Sequence, residues 1–233
     1  MPRVLIYTVL VLTCIAHVHH VSLAAESQQI NEKLQNNDSS EIKVYEELFK
    51  KSFALQRKEH AKAIKHLQQI ESYERLYKMI TILGEKMIDI IEASRVLIED
   101  GGFNPYNRSL PQNITIQSAI STTLENTALF GDILLHLPHI THRILKTKQK
   151  WNPTINWSLN FTYRMKHLLD NDTFSRIYLA SQELNIIKRE QKYFNPYWQP
   201  VESQRRDKRE TKKKKSMKKE KTMRGPQMTK IEL

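Results

Sequence analysis

The sequence predicts an all-α fold: a helical bundle with a long antiparallel helix pair, followed by a disordered basic C-terminal tail. Three observations carry this. From Glu41 to Asp100 there is no Pro and only one Gly, Gly84, while charged and apolar residues recur at helical spacing. Within that stretch Tyr73, Leu76, Ile80, Leu83, Met87, Ile90, Ser94 and Leu97 alternate spacings of three and four, the a/d pattern of a heptad repeat. No segment shows the period-two alternation of a half-buried strand.

The elements follow in order. Arg3 and the uncharged run Val4 to Ala16, followed by the small residues Ser22 and Ala24, have the layout of a cleaved signal peptide over residues 1–24. That run is short of the ~20 residues a bilayer span needs, so no membrane span is expected in the mature chain. Cys14, the single cysteine, lies inside this segment, which leaves a mature chain without disulfides that depends on its apolar core. Residues 25–40 read as a disordered lead-in, and Asp38 with Glu41 as a capping pair. A helical domain is expected over residues 41–200. It begins with two helices that break near residues 68–74. Ile88, Ile91 and Ile98 widen the second helix's stripe beyond a two-stranded seam, so it reads as the buried face of a bundle.

Gly101-Gly102 stops that helix, and residues 103–116, with Pro105 and Pro111, form a loop. Helix resumes at about 117–136. Pro138 forces a break, and a short basic helix follows to about Gln149. Pro153 opens a helix with Trp157, Phe161, Met165 and Leu168/Leu169 on its buried side. Asp172 or Thr173 caps a last helix that runs to about Lys192, and Asn195-Pro196 and Gln199-Pro200 end ordered structure. From residue 201 the composition shifts. Residues 203–233 hold thirteen Lys/Arg against four Asp/Glu, +9 of the chain's +12. Such a segment buries too little apolar surface to fold.

Six Asn-x-Ser/Thr sequons occur, at Asn37, Asn107, Asn113, Asn156, Asn160 and Asn171. Random order of the 13 Asn, 15 Ser and 15 Thr would give roughly 1.7. The excess points to a lumenal glycoprotein. Asn107 and Asn113 lie in the expected loop, Asn171 at a helix junction, and Asn156 and Asn160 beside Trp157 and Phe161, both expected to be buried. The last four residues, Lys230-Ile231-Glu232-Leu233, match a Lys-Asp-Glu-Leu-type retrieval signal except for Ile231, which implies a retrieval receptor as partner. Together with the signal peptide this places the protein in the lumen of the endoplasmic reticulum, with secretion if retrieval leaks.

Other features are weaker. Lys212–Lys215 would suit phosphate, but no nucleic-acid-binding fold or interleaved aromatic residue accompanies them, so nucleic acid is not an expected partner and acidic lumenal chaperones suit the charge better. Arg206-Asp207-Lys208-Arg209 matches a proprotein-convertase site. His136, His139 and His142 could bear on a metal, but a helix would spread them over ~120°, and Pro138 interrupts the spacing. No nucleophile elbow, phosphate loop or metalloprotease motif is present. No cofactor and no enzymatic activity are therefore expected.

The segment Glu125-Asn126-Thr127-Ala128-Leu129-Phe130-Gly131-Asp132, with Leu137-Pro138, Trp151-Asn152 and Trp157, resembles the coiled-coil domain-containing protein 134 family over about residues 41–200. The resemblance implies a non-enzymatic lumenal factor. It would bind the Hsp90-type chaperone endoplasmin and limit that chaperone's excess N-glycosylation as it folds. The alternative it leaves open is a secreted helical factor that modulates growth and MAP-kinase pathways. Glu125, Asn126, Phe130, Gly131 and Asp132 form the candidate binding segment. Leu129 and Phe130 could equally be core, and Gly131 a helix contact.

Overall fold

The computed structural model describes residues 38–106 and 110–198, with side chains from residue 43. Six α-helices are present among them: α1 Asp38–Gln69, α2 Tyr73–Asp100, α3 Ile114–His136, α4 Pro138–Thr147, α5 Asn152–Arg164 and α6 Asn171–Glu183. Two single 3-10 turns, Gln149–Trp151 and Lys166–Leu168, lead into and out of α5. The described residues contain no strand.

α3 is the axis of the bundle, and every other helix packs against it. Its sequence explains this, because from Thr127 to Leu135 every residue is buried, and a helix apolar on all sides is stable only when surrounded. α2 and α3 form the long antiparallel pair. The end of α2 at Gly101 meets Ile116 in the first turn of α3. Its start at Tyr73 meets Arg143 of α4, beyond the far end of α3. α1 and α2, joined by the short turn at residues 70–72, pack on α3 and scarcely on each other.

The buried face of α2 is Leu76, Ile80, Gly84, Met87, Ile88, Ile91, Ser94 and Ile98. This corrects the heptad stripe. Tyr73 and Leu97 are exposed, and Leu83 and Ile90 are half-buried. A straight α-helix drifts ~20° per heptad from a 3.5-residue repeat, so the true seam follows a longer average step. The seam closes on Trp151, whose ring lies where a Cβ on Gly84 would stand only 2.8 Å away.

Boundaries moved where a side chain captured backbone groups. α3 begins at Ile114 because the Asn113 carboxamide oxygen accepts from the N–H groups of Thr115 and Ile116, at 2.9 and 3.4 Å. α6 is capped by Asp170, whose carboxylate accepts from Thr173 N–H at 2.8 Å, not by Asp172 or Thr173. α6 stops at Glu183 instead of near Lys192. Asn185 takes φ +56, and the following segment is bonded back to the helix end: Arg189 donates to the Gln182 and Glu183 carbonyls, and Glu190 N–H to Gln182 Oε1. Trp157, expected buried, is only half-buried, stacked on Phe161 with Arg95 over its ring. The helical unit ends at Asn195. Of the unit that follows, Pro196–Trp198 are described.

Candidate functional site

The Glu125–Asp132 segment lies in the middle of α3. Phe130, Gly131 and Asp132 are buried, and Glu125 and Asn126 are half-buried. Phe130 is therefore core. Gly131 faces Ala180 and Ile177 of α6, and a Cβ there would make an ordinary contact at 3.5 Å. The chemistry of the segment is concentrated at Asp132, 2% exposed.

A carboxylate that deep needs charge and hydrogen bonds around it. Arg57 of α1 supplies a two-pronged pair, Nη1 to Oδ2 at 2.7 Å and Nη2 to Oδ1 at 3.1 Å. Arg176 of α6 adds a longer contact at 3.4 Å and holds Asp172 with its other arm. Arg57 Nε donates to Thr173 Oγ1 at 3.1 Å. Thr173 in turn donates to Asp170 at 2.9 Å. Arg57 Nη1 also meets His60 Nδ1 at 3.0 Å. A guanidinium can only donate, so Nδ1 is the acceptor and His60 is neutral. Burial, then the Arg57 charge, lowers its pKa to about 3. The network joins α1, α3 and α6, with its donors and acceptors turned toward one another. Its geometry is that of a structural lock.

Neighbouring titratable groups are also held by the fold. Burial pushes Glu125 up to about 7, although the Ser121 hydroxyl donates to it at 3.0 Å. His136 is lowered by burial against the opposing charge of Asp132, and its Nδ1 lies 3.3 Å from the Gln68 amide. His142 instead pairs with Glu183 at 2.9 Å, and His139 is exposed. His136 and His142 thus meet different partners, and no cluster of three or more metal-type ligands occurs among the described residues. Burial raises Glu183, but hydrogen bonds from Tyr193 and His142 outweigh it and hold the carboxyl below its usual range. No helix of the described residues is long and apolar enough to cross a membrane.

Of the sequon asparagines, Asn113, Asn156, Asn160 and Asn171 are exposed. Asn37, Asn107, the signal segment, the convertase-like site and Lys230, Ile231, Glu232 and Leu233 lie outside the described residues. Sequence reasoning passed over Arg57 and its role as partner to Asp132. One signal was available: Asp132 is the only charge in the apolar run Leu129–Leu135, and a buried carboxylate requires a cation. It also passed over the outer face of α1. There Lys51, Lys58 and Lys65 repeat every seven residues, exposed and without an ion pair among the described residues, with Lys62, paired to Glu59, and the exposed Leu55 between them.

Residues 33–229 match a family model described as an inhibitor of the ERK and JNK pathways. The chain is similar to proteins named coiled-coil domain-containing protein 134. The Xenopus tropicalis protein is 31% identical over 152 residues, 65% of this chain and 66% of the relative. The Mus musculus protein is 30% identical over 151 residues, 64% of this chain and 65% of the relative. The chain therefore spans just under two thirds of the length of these curated relatives. No solved structure matches it.

Proposed function

The chain belongs to the ERK and JNK pathway inhibitor family, and from that membership we propose that it is a non-enzymatic binding factor of the endoplasmic reticulum lumen. Its partner is an acidic folding factor, the chaperone endoplasmin, whose maturation it assists. Lower output of the ERK and JNK pathways is then a downstream effect, through signalling proteins that mature in the same compartment.

The observation that carries this reading is the contrast between the inside and the outside of α1. Inside, Arg57 and His60 are committed to the network around Asp132. Outside, Lys51, Lys58 and Lys65, unpaired among the described residues, form a ridge ~21 Å long at 1.5 Å per residue. Charge of one sign along one face attracts a partner of the other sign and speeds encounter. The excess of sequons supports the lumenal setting.

The test compares the full chain with a Lys51→Glu/Lys58→Glu/Lys65→Glu variant in cells, scoring co-precipitated endoplasmin and phosphorylated ERK and JNK. The expected result is capture by the unaltered chain, loss of capture by the variant, and higher phosphorylation with the variant. Absence of endoplasmin from the unaltered chain's captures would overturn the partner assignment.

A second reading is favoured by the family description itself: a secreted factor acting on ERK and JNK output from outside the cell. It expects purified protein added to the medium to lower phosphorylation in cells that lack the gene. The lumenal reading expects no such effect.

A further inference from the structure

The four described sequons differ in a way that their asparagines do not reveal. All four asparagines are exposed. The hydroxyl residues two positions later are not equivalent. Thr115 is exposed, whereas Ser158 is 2%, Thr162 0% and Thr173 2% exposed. The Ser158 hydroxyl donates to the Ile155 carbonyl at 3.0 Å. The Thr162 hydroxyl is buried without a hydrogen-bond partner. The Thr173 hydroxyl sits between Asp170 and Arg57 in the network that locks α1 to α6.

Helix geometry explains the split. Residues two apart on a helix point about 200° apart, so an outward asparagine in an amphipathic helix sends its sequon hydroxyl toward the core. Asn156 and Asn160 lie within α5, and Asn171 opens α6. Asn113 stands outside its helix as an N-cap with extended backbone, φ −70 and ψ 114. Its sequon hydroxyl belongs to the open first turn of α3, and Thr115 is at the surface with Asn113. The cap uses only Oδ1 of Asn113, so a sugar on Nδ2 leaves the cap in place.

Glycan transfer requires both halves of the sequon. We infer that, among the four described sequons, Asn113 is the one that accepts a glycan in the folded protein, and that Asn156, Asn160 and Asn171 accept sugar only before α5 and α6 form. The donor class is an oligosaccharide on a polyprenyl diphosphate. A bond forms between sugar C1 and Nδ2, the bond from C1 to the phosphate oxygen breaks, the lipid diphosphate leaves, and the amide loses one proton. In the folded chain Asn160 is doubly disfavoured, because its Nδ2 already donates to the carbonyl and the side-chain oxygen of Asn156, both at 2.9 Å.

In a cell this inference rests on the lumenal reading, so the test is run first outside one. The full chain made in bacteria, with Asn37→Gln and Asn107→Gln, is given a purified single-subunit oligosaccharyltransferase and a lipid-linked oligosaccharide. Site occupancy is read by mass spectrometry on the intact protein and on its tryptic digest. In the digest all four sites should accept. In the intact protein Asn113 should accept, and Asn156, Asn160 and Asn171 should be at least about tenfold slower, since each needs local unfolding. Transfer to any of those three at the digest's rate, or refusal of Asn113 by the intact protein, would overturn the inference. A parallel arm scores the same sites on protein made in secretory-pathway cells. An unmodified chain there would overturn the lumenal reading, and the in vitro result would stand on its own.

Discussion

α3 is gripped from two sides by different chemistry. On the α2 side the joint is dry: Ile80, Met87, Ile91 and Ile98 are buried, and Trp151 fills the notch at Gly84. On the α1 side the joint has an ionic centre, Arg57 on Asp132, on a helix that also buries Phe53, Ile64 and Leu67. Apolar packing tolerates small adjustments and loses stability in proportion to the misfit. A buried ion pair is all or nothing, because removing one partner leaves the other charge stranded. The comparison teaches that α1 is the conditional element of this bundle, and α2 the unconditional one.

The contrast is broken hardest at Asp132. Asp132→Ala strands Arg57 and should cost about 3–5 kcal/mol, read as a fall in the urea midpoint. A loss no larger than that of an ordinary surface substitution would mean Arg57 finds water or another carboxylate. Gly84→Ala attacks the dry joint. Its Cβ would lie 2.8 Å from the Trp151 ring, and the expected cost is about 1–3 kcal/mol, with a change in tryptophan fluorescence. Increased stability there would show that Trp151 has room to move.

A pH series sharpens the comparison. His60 is held at about 3, down from 6.5, by burial and then by Arg57. Below pH 6.5 the unfolded chain takes up a proton that the folded chain refuses, so stability falls as pH drops from 6.5 toward 3. Glu125 behaves oppositely. Burial raises it from 4.5 to about 7, so its contribution is complete below pH 4.5 and is lost as pH rises to 7. His60→Gln should flatten the acid-side loss. Glu125→Gln should raise stability above pH 7 more than below pH 4.5. Unchanged slopes in denaturation series would show that neither group is held as described. The smallest effect is expected at Gly131→Ala. The new methyl meets Ala180 at 3.5 Å, and the gain in helix propensity should leave stability unchanged or raised by up to ~1 kcal/mol. A drop comparable to that of Gly84→Ala would mean α6 cannot yield.

The dry joint was largely legible in the sequence. Leu76, Ile80, Met87 and Ile91 announce a buried helix face, and the misassigned Leu97 follows from imposing a heptad on a straight helix. The ionic joint was not legible. Arg57 and Asp132 lie 75 residues apart, and no local pattern links an arginine on one amphipathic helix to an aspartate on another. The end of α6 failed for a related reason. Helical spacing continues past Glu183, but Asn185 turns left-handed and the chain returns to cap what came before. The candidate binding segment Glu125–Asp132 lies in the middle of α3, and the part Asp132 plays in joining helices became visible only once its neighbours were in place.

One small bond has a kinetic corollary. Pro138 removes the amide that would close the last turn of α3, and at that end the buried Asn195 side chain donates to the Leu135 carbonyl at 2.8 Å. The axis of the bundle is thus finished by the last residue of its own unit. On a ribosome the stretch from Asn113 to Asn195 takes about 4–16 s to emerge at 5–20 residues per second. During that interval the central helix exists without its final clasp, and every enzyme that acts on nascent chains meets an unfinished protein.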